Sequence, residues 1–136
     1  HADYVLKKKL KNIVFVSPDV GGVARTRALA KVLHAPIAIV DKRRTEDGKA
    51  KVENVIGDVN GKTAIMVDDM IDTAGTLTKA ADLMMEKGAK SVRAICTHPV
   101  LSGEAYNRIE NSKLEELLII ADMGPATAAH LAAFSD

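Results

Sequence analysis

Five apolar runs recur along the chain: "NIVFVS" at Asn12 to Ser17, "PIAIVD" at Pro36 to Asp41, "TAIMVDD" at Thr63 to Asp69, "SVRAICT" at Ser91 to Thr97 and "LEELLII" at Leu114 to Ile120. The first four are continuous apolar or β-branched runs, not alternating ones, as expected of strands buried on both faces of a parallel sheet. Between them, "GGVARTRALAKVLHA" and "GTLTKAADLMMEKGA" carry apolar residues at helical spacing, and Gly88 stands where the second helix should end. This alternation predicts an α/β fold: an open, mainly parallel sheet of about five strands with helices on both faces, joined by right-handed crossovers.

Two intervals interrupt the rhythm. From Lys42 to Asn54, "KRRTEDGKAKVEN", eight of thirteen residues are charged and no apolar period runs through them, so a mobile loop or hairpin is expected. After Ile120 the pattern decays into "ADMGPATAAHLAAFSD", residues 121–136, which suit at most a short alanine-rich helix. No repeat, low-complexity block or linker divides the chain, so residues 1–136 read as one domain.

Composition narrows the classes. A chain of 136 residues is long enough to bury roughly two thirds of its unfolded surface. Its 19 basic and 18 acidic side chains nearly cancel, so no global charge draws it to nucleic acid or membrane, and any polyanion must be held locally. One cysteine, Cys96, excludes an intrachain disulfide framework and a thiolate zinc cluster; it fits a reducing compartment, with cytoplasm the expected location. No run approaches the roughly twenty apolar residues of a membrane helix. The chain begins with His1 rather than Met, which suggests a piece of something longer.

The densest chemistry lies in "KTAIMVDDMIDTAGTL", Lys62 to Leu77, where three aspartates fall within five residues. Asp68 and Asp69 stand at the carboxyl end of a predicted strand, where open α/β sheets bind ligands. Asp72, Thr73, Ala74, Gly75 and Thr76 lead directly into a predicted helix. Amides at a helix N-terminus lack intrahelical partners, the dipole favours an anion and Gly75 permits close approach, so the turn reads as a phosphate cradle. Carboxylates beside a phosphate would repel it unless they face ribose hydroxyls or a divalent cation, so the pattern points to a sugar phosphate. Asp72 or Thr73 taken alone reads as a helix cap before it reads as a ligand.

The segment "VSPDVGGVARTRALA" repeats that logic, with Asp19 beyond a strand end, Gly21 and Gly22 opening a helix and Arg25 in its first turns. Converging main-chain N–H groups and Arg25 suit a second oxyanion, and Asp19 suits a magnesium ion bridging phosphates; the alternative is a Pro-Asp turn before a helix. Lys42, Arg43 and Arg44 can swing over a polyphosphate or simply form a solvated face. In "THPVLSG", Thr97 to Gly103, His98 and Ser102 lie at another strand end without a decided role. Cys96, His34, His130 and the Met84-Met85 pair read as structural.

Taken together, "VDDMIDTAGT", "SPDVGGVAR", "DKRR", "NVIGDV" and "CTHPVLSG", in this order and spacing, resemble the C-terminal half of the ribose-phosphate pyrophosphokinase family over about Asn12 to Ile120. The resemblance implies that Asp68 and Asp69 hold ribose hydroxyls and that Asp72 to Thr76 hold the 5-phosphate. It implies a pyrophosphate loop of Asp19, Gly21, Gly22 and Arg25, with Asp19 placing Mg2+, and catalytic cations Lys42 and Arg44 on a flexible loop. The implied reaction is attack of the ribose 1-hydroxyl on the β-phosphorus of ATP, giving phosphoribosyl pyrophosphate and AMP by positioning and charge stabilisation. Three departures qualify it. Glu46 and Asp47 stand where the family usually carries Pro and an Ala-Asn pair, and offer the two cations competing partners. The tail departs from the family's ending, and the family's N-terminal domain, which holds adenine and contributes a metal-binding histidine, has no counterpart here. The expectation is a ribose 5-phosphate-binding half, inactive alone, that works with an N-terminal partner or in a homo-oligomer. A non-catalytic, sugar phosphate-binding homologue is the alternative. A type I phosphoribosyltransferase ranks last, because no hood segment for an acceptor base is evident.

Overall fold

The computed structural model describes residues 10–119. Its strands are β1 (Ile13–Ser17), β2 (Ile37–Arg44), β3 (Lys51–Ile56), β4 (Thr63–Ile71), β5 (Ser91–Pro99) and β6 (Leu114–Ile119). Its α-helices are α1 (Val23–Val32), α2 (Gly75–Glu86) and α3 (Ala105–Glu110), and a 3-10 turn at Val20–Gly22 precedes α1. The six strands form one sheet in the order β3-β2-β1-β4-β5-β6. All neighbours are parallel except β2 and β3.

The continuous apolar runs become the inner strands because both of their faces are covered. On one face Val14, Val16, Ala64, Met66, Val92 and Ala94 pack with α2; on the other Phe15, Ile65, Val67 and Ile95 pack with Leu29 and Ala30 of α1. The helices meet these faces through spaced apolar residues, Leu77, Ala80, Ala81 and Met84 on α2 and Leu29 and Ala30 on α1, with the buried Thr26 one helical turn before them. Helix α2 ends as its sequence suggests. Gly88, at φ +95°, lets Ala89 N–H reach Met84 O at 3.0 Å and Gly88 N–H reach Met85 O at 3.1 Å, which satisfies carbonyls that the helix leaves free.

Three features go beyond the sequence reading. The charged interval is a hairpin, one of the two expected forms: β2 runs on to Arg44 and β3 returns antiparallel from Lys51, a sixth strand that the density of charge around it concealed. The third strand candidate extends two residues past Asp69, to Ile71. The short helix α3, beside α2, carries little apolar period; it is anchored by Ala105, which is fully buried. The alanine-rich tail, 121–136, lies outside the described residues.

The hairpin closes against β2 at Gly57, the glycine of "NVIGDV". Its φ is +104°, and a side chain there would bring Cβ to 2.8 Å from Ile37 O and 3.0 Å from Ala38 Cα. Both obstacles are backbone and cannot rotate away. Gly57→Ala is therefore expected to lower stability by about 2–3 kcal/mol, read as a shift in urea midpoint, since backbone strain and clash add. A loss under about 0.5 kcal/mol would show that the hairpin end relaxes freely.

Candidate functional site

The order of the strands decides where a site can form. From β1 the chain crosses through α1 to β2 on one side, whereas β4 lies on the other side of β1 and leads into α2. The connections leaving β1 and β4 therefore diverge above their carboxyl ends and leave a crevice, as at the switch point of any open parallel sheet. A cavity of about 260 Å³ occupies it, lined by Asp19 from the β1 connection, Asp68 and Met70 from β4, and residues 71–77.

On the β4 side, the wall is a turn into a helix without a side-chain cap. Ala74 sits at the N-cap of α2 with φ 64° and ψ 9°, a left-handed conformation that costs a non-glycine residue roughly 1–2 kcal/mol. Thr78 N–H donates to Ala74 O at 3.0 Å at the start of the helix, so the amides of Gly75, Thr76 and Leu77 precede the intrahelical ladder. They form the positive end of the helix beside the cavity. The turn is held from outside. Ser102 Oγ–H donates to the Asp72 carboxylate and Arg108 Nη1 donates to Thr73 O at 3.0 Å.

The other wall starts at Ser17, whose buried hydroxyl donates to Asp19 O. The Asp19 carboxylate accepts from Gly22 N–H at 2.8 Å and caps the 3-10 turn. Thr26 Oγ1–H closes the helix start by donating to Gly22 O at 3.1 Å. From this loop Asp19 lines the cavity, while Gly21 and Gly22 build the turn behind it.

The adjacent aspartates are separated by the pleat, because successive strand residues point to opposite faces. Asp68 lines the cavity on the α2 face. Asp69 instead pairs with Arg25 of α1, Nη2 to Oδ2 3.2 Å. The two residues assigned from sequence to ribose and pyrophosphate, Asp69 and Arg25, thus meet each other and bridge the two walls.

Asp68 is half-buried, and its pKa rises to about 6. Loss of hydration is the main cause, followed by its side-chain hydrogen bond with Asp69 and the negative charge of Asp19 and Asp69; the Asp69 N–H, 2.9 Å from Oδ1, pulls the other way. The cavity thus holds more negative charge than its own residues compensate. Hard carboxylate oxygens of Asp19 and Asp68 suit magnesium, which is commonly held by one or two carboxylates together with substrate phosphates. Among the described residues no cluster of three or more His, Cys, Asp or Glu could hold a metal alone.

Lys42 and Arg44 lie on β2, away from the cavity lining. Ser17 pairs with Ile39, so they stand three and five residues beyond the end of β1, about 10 and 17 Å along the strand. Ala38 and Val40 face the α2 side, and alternation puts Lys42 and Arg44 on that same side as the cavity. Arg43, on the other side, pairs with Asp41 at 2.8 Å. Asp47 is engaged in the hairpin, where it accepts from Thr45 Oγ1–H at 2.5 Å and Lys49 N–H at 3.0 Å. Arg44 Nη1 reaches Gly48 O at 3.4 Å.

Sequence spacing left Ser102 without a role and passed over Arg108. Both touch the turn across 30 and 35 residues of chain respectively, so no local pattern could reveal them. Cys96 is buried in the core beneath the site, and burial pushes its thiol pKa up. His98 is exposed on β5.

The family model for the phosphoribosyl transferase domain matches residues 2–123. The ribose-phosphate pyrophosphokinase of Bacillus caldolyticus is 59% identical over 118 residues, which are 87% of this chain and 38% of that protein. That of Campylobacter jejuni is 56% identical over 117 residues, 86% of this chain and 38% of its own length. The chain thus spans less than two fifths of the length of these relatives. Among solved structures, phosphoribosylpyrophosphate synthetase from Mycobacterium smegmatis superposes with a TM-score of 0.77 at 32% identity, covering 97% of this chain and 48% of that one. A purine phosphoribosyltransferase from Pyrococcus horikoshii, 20% identical with a TM-score of 0.60, covers 87% of this chain and 75% of its own and shares the fold.

The acid excess has a measurable sign. The unfolded chain releases the Asp68 proton near 3.8 and the folded chain near 6, so folding binds protons in that window and stability falls as pH rises through it. Asp68→Asn is expected to raise the thermal midpoint at pH 7.5, with the gap to the parent closing as pH falls from 6 toward 4. Equal midpoints at pH 7.5 would show that Asp68 is relaxed in its place.

Proposed function

Because the chain belongs to the phosphoribosyl transferase domain family, and its sequence matches ribose-phosphate pyrophosphokinases, we propose that it is the ribose 5-phosphate-binding part of such an enzyme. The observation that carries this reading is one cavity that joins an uncapped helix N-terminus to two carboxylates, Asp19 and Asp68. An anion and several hydroxyls on one small molecule satisfy both demands, and a sugar phosphate has both.

In this reading the amides of residues 74–76 bind the 5-phosphate, with the hydroxyls of Thr73 and Thr76 beside them. Asp68 accepts hydrogen bonds from ribose hydroxyls on the cavity side. Asp69 takes part through its pair with Arg25 and turns to the sugar when that pair opens. Asp19, Gly21 and Gly22 flank the 1-position, where diphosphate is installed, and Asp19 with Asp68 would hold magnesium that neutralises the phosphates. Lys42 and Arg44 approach along the hairpin on the cavity's side of the sheet and stabilise charge on the transferred group.

The reaction of the whole enzyme is then attack of the ribose 1-hydroxyl on the β-phosphorus of ATP. A β-phosphorus–oxygen bond forms as the bond to the α-phosphate oxygen breaks, AMP leaves, and the hydroxyl proton is lost. The chain spans 38% of the length of its Bacillus caldolyticus relative, so ATP binding and full activity are assigned to the chain working with an adenine-holding partner, an N-terminal domain or a neighbour in a homo-oligomer. The balanced charge supports neither a nucleic acid nor a membrane as partner, and among the described residues no helix is long and apolar enough to cross a membrane. The one cysteine, free and buried, supports a cytoplasmic setting.

A second reading keeps the sugar phosphate site and removes the transfer. The hairpin favours it: Arg44 is turned to Gly48 O, and Glu46 and Asp47 add negative charge beside the two cations.

Calorimetric titration separates these readings from a scaffold without ligand. Ribose 5-phosphate is expected to bind the isolated chain, Mg-ATP to give no heat of binding, and Asp72→Ala to weaken the sugar phosphate by tenfold or more, the scale of losing a loop-setting hydrogen bond to a charged group. No binding of ribose 5-phosphate to the parent chain would remove the proposal.

A further inference from the structure

The turn that closes the cavity is not held by its own helix. Its three successive carbonyls, those of Ile71, Asp72 and Thr73, are all bound by the connection from β5 to α3 and by α3 itself. Leu101 N–H donates to Ile71 O at 3.1 Å, Ser102 N–H to Asp72 O at 2.9 Å and Arg108 Nη1–H to Thr73 O at 3.0 Å. Ser102 Oγ–H adds a bond to the Asp72 carboxylate.

This pattern has a directional consequence. A trans peptide is planar, with its C=O and N–H on opposite sides. There are no cis peptides among the described residues, so fixing these carbonyls toward the α3 side turns the N–H groups of Asp72, Thr73 and Ala74 away from it. The cavity is lined by residues 71–77 and not by Arg108. The turn resists this arrangement on its own, because Ala74 is left-handed at φ 64°, and the brace meets it with a second left-handed residue, Leu101 at φ 53°. Strained residues of this kind persist where surrounding structure over-determines them.

We propose that Arg108 is a positioning residue for the anion-binding turn. It holds the Thr73–Ala74 peptide so that the Ala74 amide and the first-turn amides of α2 converge on one phosphoryl group before any ligand arrives. The proposal rests on the sugar phosphate reading for the identity of that ligand, but not for the brace. Two of the three carbonyls are bound by backbone amides; only the third depends on a side chain, so a single substitution can release it. Arg108 acts through Thr73.

Arg108→Met keeps a long apolar stem and removes the donor. In this variant without ligand the hydrogen-bonded amides that report on the turn, those of Thr78, Leu101 and Ser102, are expected to exchange roughly tenfold faster, while the core strands and the thermal midpoint stay near the parent's. Ribose 5-phosphate is expected to bind roughly tenfold more weakly, as for a lost hydrogen bond at a charged site, with Arg108→Lys recovering part of both effects. Unchanged exchange at Thr78, Leu101 and Ser102 in a folded Arg108→Met would overturn the brace. Quickened exchange with unchanged affinity would overturn its role in binding. If Arg108→Met fails to fold, Ser102→Ala, which removes only the hydroxyl bond to Asp72, takes its place, and unchanged exchange there also counts against the brace. If the parent itself binds no ribose 5-phosphate, the functional reading fails, while the exchange data still judge the brace.

Discussion

The parallel pairing of β1 with β4 is the constraint on which the rest depends. Val14 beside Ala64 and Val16 beside Met66 bring two strands together whose connections leave in opposite directions. Every element of the site follows from that pairing. The apolar runs that make it are buried on both faces, so the strands cannot slip by one residue without exchanging the partners of α1 and α2. Where the buried apolar runs stop, toward the carboxyl ends, the chain places Asp19 on one side and Asp68 on the other. The crevice is thus a consequence of core packing, and its chemistry is a consequence of which side chains come first after the core stops.

That chemistry is out of balance in the free protein. Asp68 is partly stripped of water beside Asp19 and Asp69, and its raised pKa records the cost. The α2 amides have no side-chain cap, and Ala74 is held left-handed. Each departure opposes stability, and each is relieved by the same kind of ligand: hydroxyls and a cation for the carboxylates, a phosphoryl group for the amides. Local rules broken together at one place, with the remaining fold consistent, are the usual mark of a binding site.

Much of this was legible in the sequence. The runs Asn12 to Ser17 and Thr63 to Asp69 announced buried strands because continuous burial leaves a continuous apolar record, and the turn Asp72 to Thr76 announced itself because small residues before a helix serve few other purposes. The hairpin was one of two readings of the charged interval, and the bounds of β3 were not legible, since an edge strand that buries little needs no apolar period. The separation of Asp68 from Asp69 followed from strand alternation, and was hidden while the strand was taken to end there. Arg108 and Ser102 were invisible as supports because their partners are distant in sequence. The charged hairpin was anticipated in place but not in partners: Asp47 is engaged with Thr45 and Lys49, and Arg43 with Asp41.

In the proposed function the cavity at the carboxyl ends of β1 and β4 receives a sugar phosphate. Amide NMR of the chain during addition of ribose 5-phosphate tests it most directly, because each wall has its own reporters. The account predicts saturable shifts concentrated at Gly75, Thr76 and the neighbouring 68–77 segment, with smaller ones at 19–22, and little change at the amino ends of the strands. Saturation without shifts in 68–77, or an unchanged spectrum at high ligand concentration, would contradict it.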